Sequence, residues 1–378
     1  MRNIKFVYES MTYKETLFFI AQCLTISLEE KNKEVILLKL QSEEINWEAV
    51  IKVSTGHYVL PALYCNLKRV KFLKYLPEDL VGYMKQLNNL NRERNTKIIT
   101  EAKELNKLLL ANNITPIFLK CTGNLIEGLY DDISERMVGD IDFICSKDDH
   151  PKAIKILSDN GYGTVVKEKY NFPEFKHHPR LKKKNKIAAV EIHKELLSEN
   201  YAHEFNYSII LEDIQKINDA TVLSFEHQFA LSIISKQIND NGFHYKDMAL
   251  RNAYDVFLLS KKTNGENSFS KFDTLKNPLN CFLAISYVAF GEIDSLKYHK
   301  TKETENYLSL FDSLLLNEKK RKSRIKLEYR KLFIKERLSL LYKSLFNKEH
   351  RDWLLKRISD KNWQRKKMVQ LGLKKSKF

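Results

Sequence analysis

Apolar residues recur at helical spacing through residues 12–30 (TYKETLFFIAQCLTISLEE), 46–70 (NWEAVIKVSTGHYVLPALYCNLKRV) and from about Pro77 to Leu110. Pro61 predicts a kink or break in the second stretch, since proline lacks an N–H and crowds the preceding turn. Asn112-Asn113 predicts the stop of the third. Residues 1–112 therefore form an expected helical cap. The pattern then changes. ITPIFLK (114–120) has the character of a buried strand, TGNLIEGLY (122–130) of a short helix, and GDIDFIC (139–145) of a second strand. PKAIKILSDNGY (151–162) opens on a helix-starting proline and closes on Asn-Gly. GTVVKEKY (163–170) is a weaker strand and KIAAVEIHKEL (186–196) a stronger one. The order predicts an α+β core over 113–205: a small mixed sheet with helices on one side. After Asn206 the spacing is helical again through 206–318, and basic amphipathic helices occupy 319–378.

Within the second strand, RMVGDIDFIC (136–145), Asp140 and Asp142 share one face because strand side chains alternate. Two carboxylates so close repel each other, so at least one shifts towards its neutral form unless a cation or basic partner is present. The same alternation in AAVEIHKE puts Ala189, Glu191 and His193 on one face, opposite Val190 and Ile192. Glu191 is thereby a candidate third carboxylate, or the partner of Lys194 or Arg136. Hard divalent cations such as Mg²⁺ take oxygen ligands, and two ions about 4 Å apart stabilise the attacking and leaving oxygens of phosphoryl transfer. In FLKCTGNLIEG, Thr122 and Gly123 lie where a strand gives way to a helix, so backbone N–H groups and a hydroxyl can face an anion. Lys120 and Arg136 bring positive charge towards the aspartates, Arg136 in a form suited to bidentate phosphate contact. His193 is read as supporting the carboxylates, because Mg²⁺ disfavours imidazole. His177-His178 lacks partners for a zinc site. Cys121 is a small buried residue, and Arg251 and Asp255, four apart on a helix, form an expected ion pair.

Charge and cysteines narrow the setting. The chain carries a net charge of +16, yet residues 319–378 hold 22 Lys and Arg against 5 Asp and Glu, so the remainder is near neutral at −1. Such a tail attracts polyanions, either nucleic acid or an acidic membrane surface. Leu338, Leu341, Leu345, Trp353 and Leu354 recur at helical intervals, and the expectation is that this face docks on the body while the basic face stays exposed. Five scattered cysteines without a C-x-x-C pair argue against a disulfide framework or thiolate zinc site and for a reducing cytoplasm. No stretch approaches a membrane span, and MRNIKFVYESMTYKE lacks the apolar run of a secretory signal.

Taken in order, FLK-x-x-x-N-L, Arg136, D-I-D-F, Gly161-Tyr162 and V-E-I-H resemble the uncharacterised bacterial nucleotidyltransferase family of the polymerase β-like superfamily, over roughly residues 95–260. That pattern usually has Leu-Lys-Gly after the first strand. Here Leu119-Lys120 match, Cys121 stands at the glycine position, and Gly123 follows. The resemblance implies Asp140, Asp142 and Glu191 as ligands of Mg²⁺ (two ions, with Mn²⁺ an alternative), and Arg136 as a substrate contact. The expected reaction is attack of an acceptor on the α-phosphate of an NTP, with Glu191 helping the acceptor lose its proton and Lys120, Thr122 and Arg136 neutralising the triphosphate. The acceptor is left open by the sequence, with RNA held by the basic tail one candidate. Two other readings stand beside it: a sugar-nucleotide glycosyltransferase, which also uses Asp-x-Asp, and a non-catalytic RNA-binding protein on a degenerate scaffold, which Cys121 favours.

Overall fold

The computed structural model describes residues 11–42, 45–165, 176–269 and 271–370. Thr12 caps helix α1 (Tyr13–Cys23) through a reciprocal bond with Glu15. Helix α2 (Glu30–Gln41) follows. The expected break near Pro61 is present: α3 (Trp47–Gly56) ends, and α4 (Leu60–Arg69) restarts with Pro61 in its first turn. Helix α5 (Glu78–Leu110) is about 50 Å long at 1.5 Å per residue, and it stops just before Asn113, which adopts φ 58°.

Among the described residues, seven strands form one mixed sheet: β1 (Ile117–Phe118), β2 (Asp140–Ile144), β3 (Tyr162–Thr164), β4 (Leu181–Lys183), β5 (Ala189–His193), β6 (Ile214–Ile217) and β7 (Ala220–Leu223). Their order is β3-β4-β5-β2-β1-β7-β6. β2 and β5 run parallel at the centre, pairing Asp140 with Ala189, Asp142 with Glu191 and Ile144 with His193. Helix α6 (Lys120–Glu127) packs on β1, β2 and β7, and α7 (His150–Asp159) packs on β3 and β5. The weak strand expected over 163–170 is realised as Tyr162–Thr164; residues 166–170 lie outside the described residues, as do residues 1–10 of the N-terminal stretch.

Two expectations are corrected here. The chain is not purely helical after Asn206, because IQKINDATVL folds as the β6–β7 hairpin and extends the sheet beside β1. Asn218 in a left-handed turn (φ 54°) makes that reversal, a conformation asparagine tolerates. The tail does not dock through Leu338, Leu341 and Leu345 either. These are 61%, 50% and 69% exposed, whereas Trp353 is buried. The helix Glu318–Phe346 instead turns Glu328, Leu340 and Ser344 inwards and packs along the helix Lys348–Ile358. The continuous apolar core reaches from Leu17 to Leu315 and takes in the helical cap, the sheet and the helices that follow it.

What sets the register of the central strands is the polar face of α5. Asn91 donates to the carbonyls of Ser134 (2.6 Å) and Arg136 (3.1 Å). Asn95 donates to those of Ile133 (2.5 Å) and Arg136 (2.7 Å), and Arg94 Nε to that of Val138 (3.1 Å). Two turns on, the Glu101 carboxylate accepts the N–H groups of Ile187 (2.8 Å) and Ala188 (3.1 Å). One helix thus grips the chain just before β2 and just before β5. Asn95→Ala takes the side-chain donor from the Ile133 carbonyl and leaves the Arg136 carbonyl to Asn91 alone, and should cost about 1–3 kcal/mol of unfolding free energy. Asn95→Asp, which places an acceptor against acceptors, should cost at least as much by urea denaturation; an unchanged midpoint in either variant would remove α5 from this role.

Candidate active site

The register Asp142↔Glu191 brings two carboxylates side by side on a sheet buried by helices, and the chain answers with its own cations. β1 ends at Phe118, Leu119 N–H still bonds to the Asp142 carbonyl (3.0 Å), and Lys120 then turns into α6 with φ 50°. That turn delivers the Lys120 ammonium to Asp142 Oδ1 (2.5 Å), His193 Nε2 (3.3 Å) and Glu191 Oε2 (3.8 Å). His193 Nε2 lies 2.9 Å from Asp142 Oδ1 and 3.5 Å from Glu191 Oε2. From the position just before β4, Arg180 reaches Glu191 Oε1 (2.6 Å) and Asp140 Oδ2 (3.3 Å).

The charges respond accordingly. Burial opposes ionisation of Asp142, but Lys120 and His193 outweigh it and hold its carboxyl well below the ordinary range. Glu191 is likewise lowered against burial, by His193, Lys120 and Arg180. Burial opposes the charged form of Lys120 too, and Asp142 reverses that, raising it. Asp140 goes the other way: burial raises its carboxyl, with help from Glu191 and Asp142, and Arg180 only partly offsets this. At the rim, Lys176 is lowered to about 8 by burial and by the neighbouring Lys120.

The residues singled out from the sequence divide into two groups. Asp140, Asp142, Glu191 and Lys120 converge. Thr122 is buried and holds the strand, donating to the Asp140 carbonyl (3.1 Å) and accepting from the Asp142 N–H (3.4 Å). Gly123 permits close packing: a Cβ there would stand 2.8 Å from the Phe118 carbonyl oxygen. Arg136 is 4% exposed, and its guanidinium grips Asp255 at 3.0 Å, with Tyr130 Oη donating to the same carboxylate at 2.7 Å. Asp255 therefore pairs with Arg136 and not with Arg251, which lies over the Tyr58 ring. Glu191 pairs with Arg180 and Lys120 and with neither Lys194 nor Arg136.

Arg180 went unread in the sequence. Its signal lay in the β4–β5 hairpin around Asn185 (φ 66°), whose pairing of Leu181 with Val190 sets Arg180 beside Glu191. His193, read only as a support, has its Nε2 among the atoms that can ligate: Asp142, Glu191 and His193 each offer one ligand atom, all within 4.8 Å of one another. Two carboxylates and an imidazole suit a divalent cation, so the donor set fits one.

The fold and this cluster define a class: an α+β protein with a buried acidic site on its central parallel strands, able to hold a cation. A sequence model of the uncharacterised nucleotidyltransferase family matches residues 43–290, well over half of the chain, and the chain belongs to that family. None of the curated proteins matches it. No helix among the described residues is long and apolar enough to cross a membrane.

The two aspartates should respond oppositely to neutralisation. Asp142 is depressed when folded, so its ionisation contributes stability above the usual carboxylate pKa, and that contribution fades as pH falls. Asp140 is raised, so its ionisation costs stability. In metal-free protein at pH 7, Asp142→Asn should lose on the order of 2 kcal/mol, narrowing below about pH 4. Asp140→Asn should be neutral or slightly stabilising. Denaturant titrations of both in chelator at pH 7 and pH 3.5 measure this, and equal effects contradict the assignment.

Proposed function

We propose that the chain is a metal-dependent nucleotidyltransferase of the polymerase β-like kind, and that Asp140, Asp142, Glu191 and Lys120 form its reaction centre. The observation that carries this reading is the parallel register that sets Asp142 beside Glu191, with a cation already drawn between them. Asp142 and Glu191 would hold the divalent ion, Mg²⁺ or Mn²⁺, with His193 a further ligand where the metal accepts imidazole and Asp140 beside them for a second ion. When bound, such an ion supplies Lewis-acid stabilisation of phosphoryl oxygens.

The chain's own residues do the rest. Lys120, on the first turn of α6, neutralises triphosphate oxygens, and the exposed Arg180 does so from just before β4. The first turn of α6 aims backbone N–H groups the same way. The acceptor oxygen bonds to the α-phosphorus as the bond to pyrophosphate breaks, and the acceptor's proton passes to the Glu191 carboxylate. Arg136 acts at a distance, tying the segment before β2 to the helix Leu250–Ser260.

A four-way incubation with α-labelled NTPs and cell extract asks directly which fraction acquires label. Glu191→Gln should lower the maximal rate by about a hundred-fold or more and change NTP affinity much less. Lost affinity at a normal maximal rate would take the proton from Glu191.

The acceptor we propose is RNA, on the strength of the +17 tail, whose described residues form three helices outside the main core. Each phosphate they neutralise releases counterions, so RNA affinity of the full chain should fall by about a thousand-fold between 50 and 200 mM salt if six or more phosphates are contacted. A flat salt dependence, or loss of liposome rather than RNA binding when residues 319–378 are removed, rules out this acceptor.

A further inference from the structure

The Lys120 ammonium touches the same three atoms that make the candidate metal seat: Asp142 Oδ1, Glu191 Oε2 and His193 Nε2. An ammonium and a divalent ion cannot both occupy that space. Lys120 is also held there at a backbone cost. Its φ of 50° lies in the left-handed region, which a residue bearing a Cβ adopts only at an energetic cost. The side chain is three-quarters buried, and its remaining quarter is open to solvent.

We infer that Lys120 is a displaceable resident cation, which neutralises Asp142 and Glu191 in the free protein and must leave their seat before a divalent ion takes it. This rests on the reading of the site as a nucleotidyltransferase centre and adds how that site is controlled. A departing ammonium needs a new counter-charge. The triphosphate of an incoming nucleotide supplies one, whereas a divalent ion arriving alone leaves Lys120 partly buried without a carboxylate partner. Arg180 and Lys176 stand close by and make that stranding worse, because three like charges then share one rim. Metal alone is therefore bound weakly, and metal and nucleotide bind with positive coupling. The coupling is reciprocal, so nucleotide without metal is held weakly too. The consequence is selectivity for the metal–nucleotide pair over either partner. Lys120 acts here as a positioning residue on the metal seat as well as a triphosphate contact.

Binding of Mn²⁺ to the full chain, followed by electron paramagnetic resonance with and without a non-hydrolysable ATP analogue, tests this without any turnover. Wild-type protein should bind Mn²⁺ at least about ten-fold more tightly with the analogue present. Lys120→Met should bind Mn²⁺ alone about ten-fold more tightly than wild type and lose most of the coupling. Lys120→Arg, which keeps the charge, should stay close to wild type. If Lys120→Met gains no affinity for Mn²⁺ alone while wild type still binds the metal–nucleotide pair, the displacement is wrong and the nucleotidyltransferase reading stands. If wild type binds neither Mn²⁺ nor any of the four nucleotide analogues together with it, both fall. Should the methionine variant not fold, acetylation of wild-type lysines read by mass spectrometry decides the matter. Mn²⁺ alone at saturation should raise Lys120 labelling several-fold over chelator-treated protein, and unchanged labelling overturns the inference.

Discussion

Two carboxylates paired across parallel strands in the interior of a sheet cannot both stay ionised without compensating positive charge, and the local architecture follows from that constraint. β2 and β5 are adjacent and parallel in the middle of the sheet, and Asp142 and Glu191 are each only 7% exposed. Lys120 reaches them through a left-handed turn, and Arg180 enters from just before the neighbouring antiparallel strand. Thr122 bonds to the backbone on both sides of Ile141 and keeps the aspartate strand from sliding. A one-residue slip would carry Asp142 to the opposite face of the sheet and Ile141 into the charged cluster, so register and charge balance are the same problem.

Helix α5 solves that problem from behind. Its asparagines and Glu101 satisfy backbone groups that would otherwise be buried without partners, and in doing so they fix where each central strand starts. The buried Arg136–Asp255–Tyr130 cluster extends the same logic towards the C-terminal helices. A pair this deep gives little net stability, because desolvation of both ions offsets their attraction, but losing one partner strands the other. Its effect is to make the segment before β2 adopt one position.

Those facts explain what could be read from the chain and what could not. Asp140, Asp142 and Glu191 were legible because period-2 alternation is a local property, and charged residues inside an apolar strand stand out. Their convergence with Lys120 was legible too, since strand, turn and helix followed in order. Arg136 carried the right chemistry for phosphate, but only the tertiary structure shows Asp255, 119 residues away, taking it up. The β6–β7 hairpin was hidden because IQKI and ATVL are too short to separate from helical spacing without weighing the Asn-Asp turn between them. The asparagines of α5 were invisible as a group, since a buried polar face on a charged helix looks like part of its solvated side. The tail misled for a related reason. Leucines at helical intervals identify a face, and they do not say whether that face meets the body or the solvent.

The turn into α6 bears on the reading of this scaffold as a degenerate one. Cys121 was its support, because a glycine at that position suggests backbone pressed close to a phosphate. In this chain the closest backbone approach is made two residues later. Gly123 lies against the Phe118 carbonyl, and its N–H closes the first turn of α6 on the Leu119 carbonyl at 3.1 Å. The close approach therefore serves to seat α6 on β1, and a seated α6 is what directs Lys120 at Asp142. Cys121 is partly buried, burial raises its thiol, and its immediate electrostatic neighbours are Arg136 and Asp255. With cysteine at this position Asp142 still pairs with Glu191 across the strands and Lys120 still reaches Asp142, so the departure from glycine leaves the acidic cluster, its register and its cation intact.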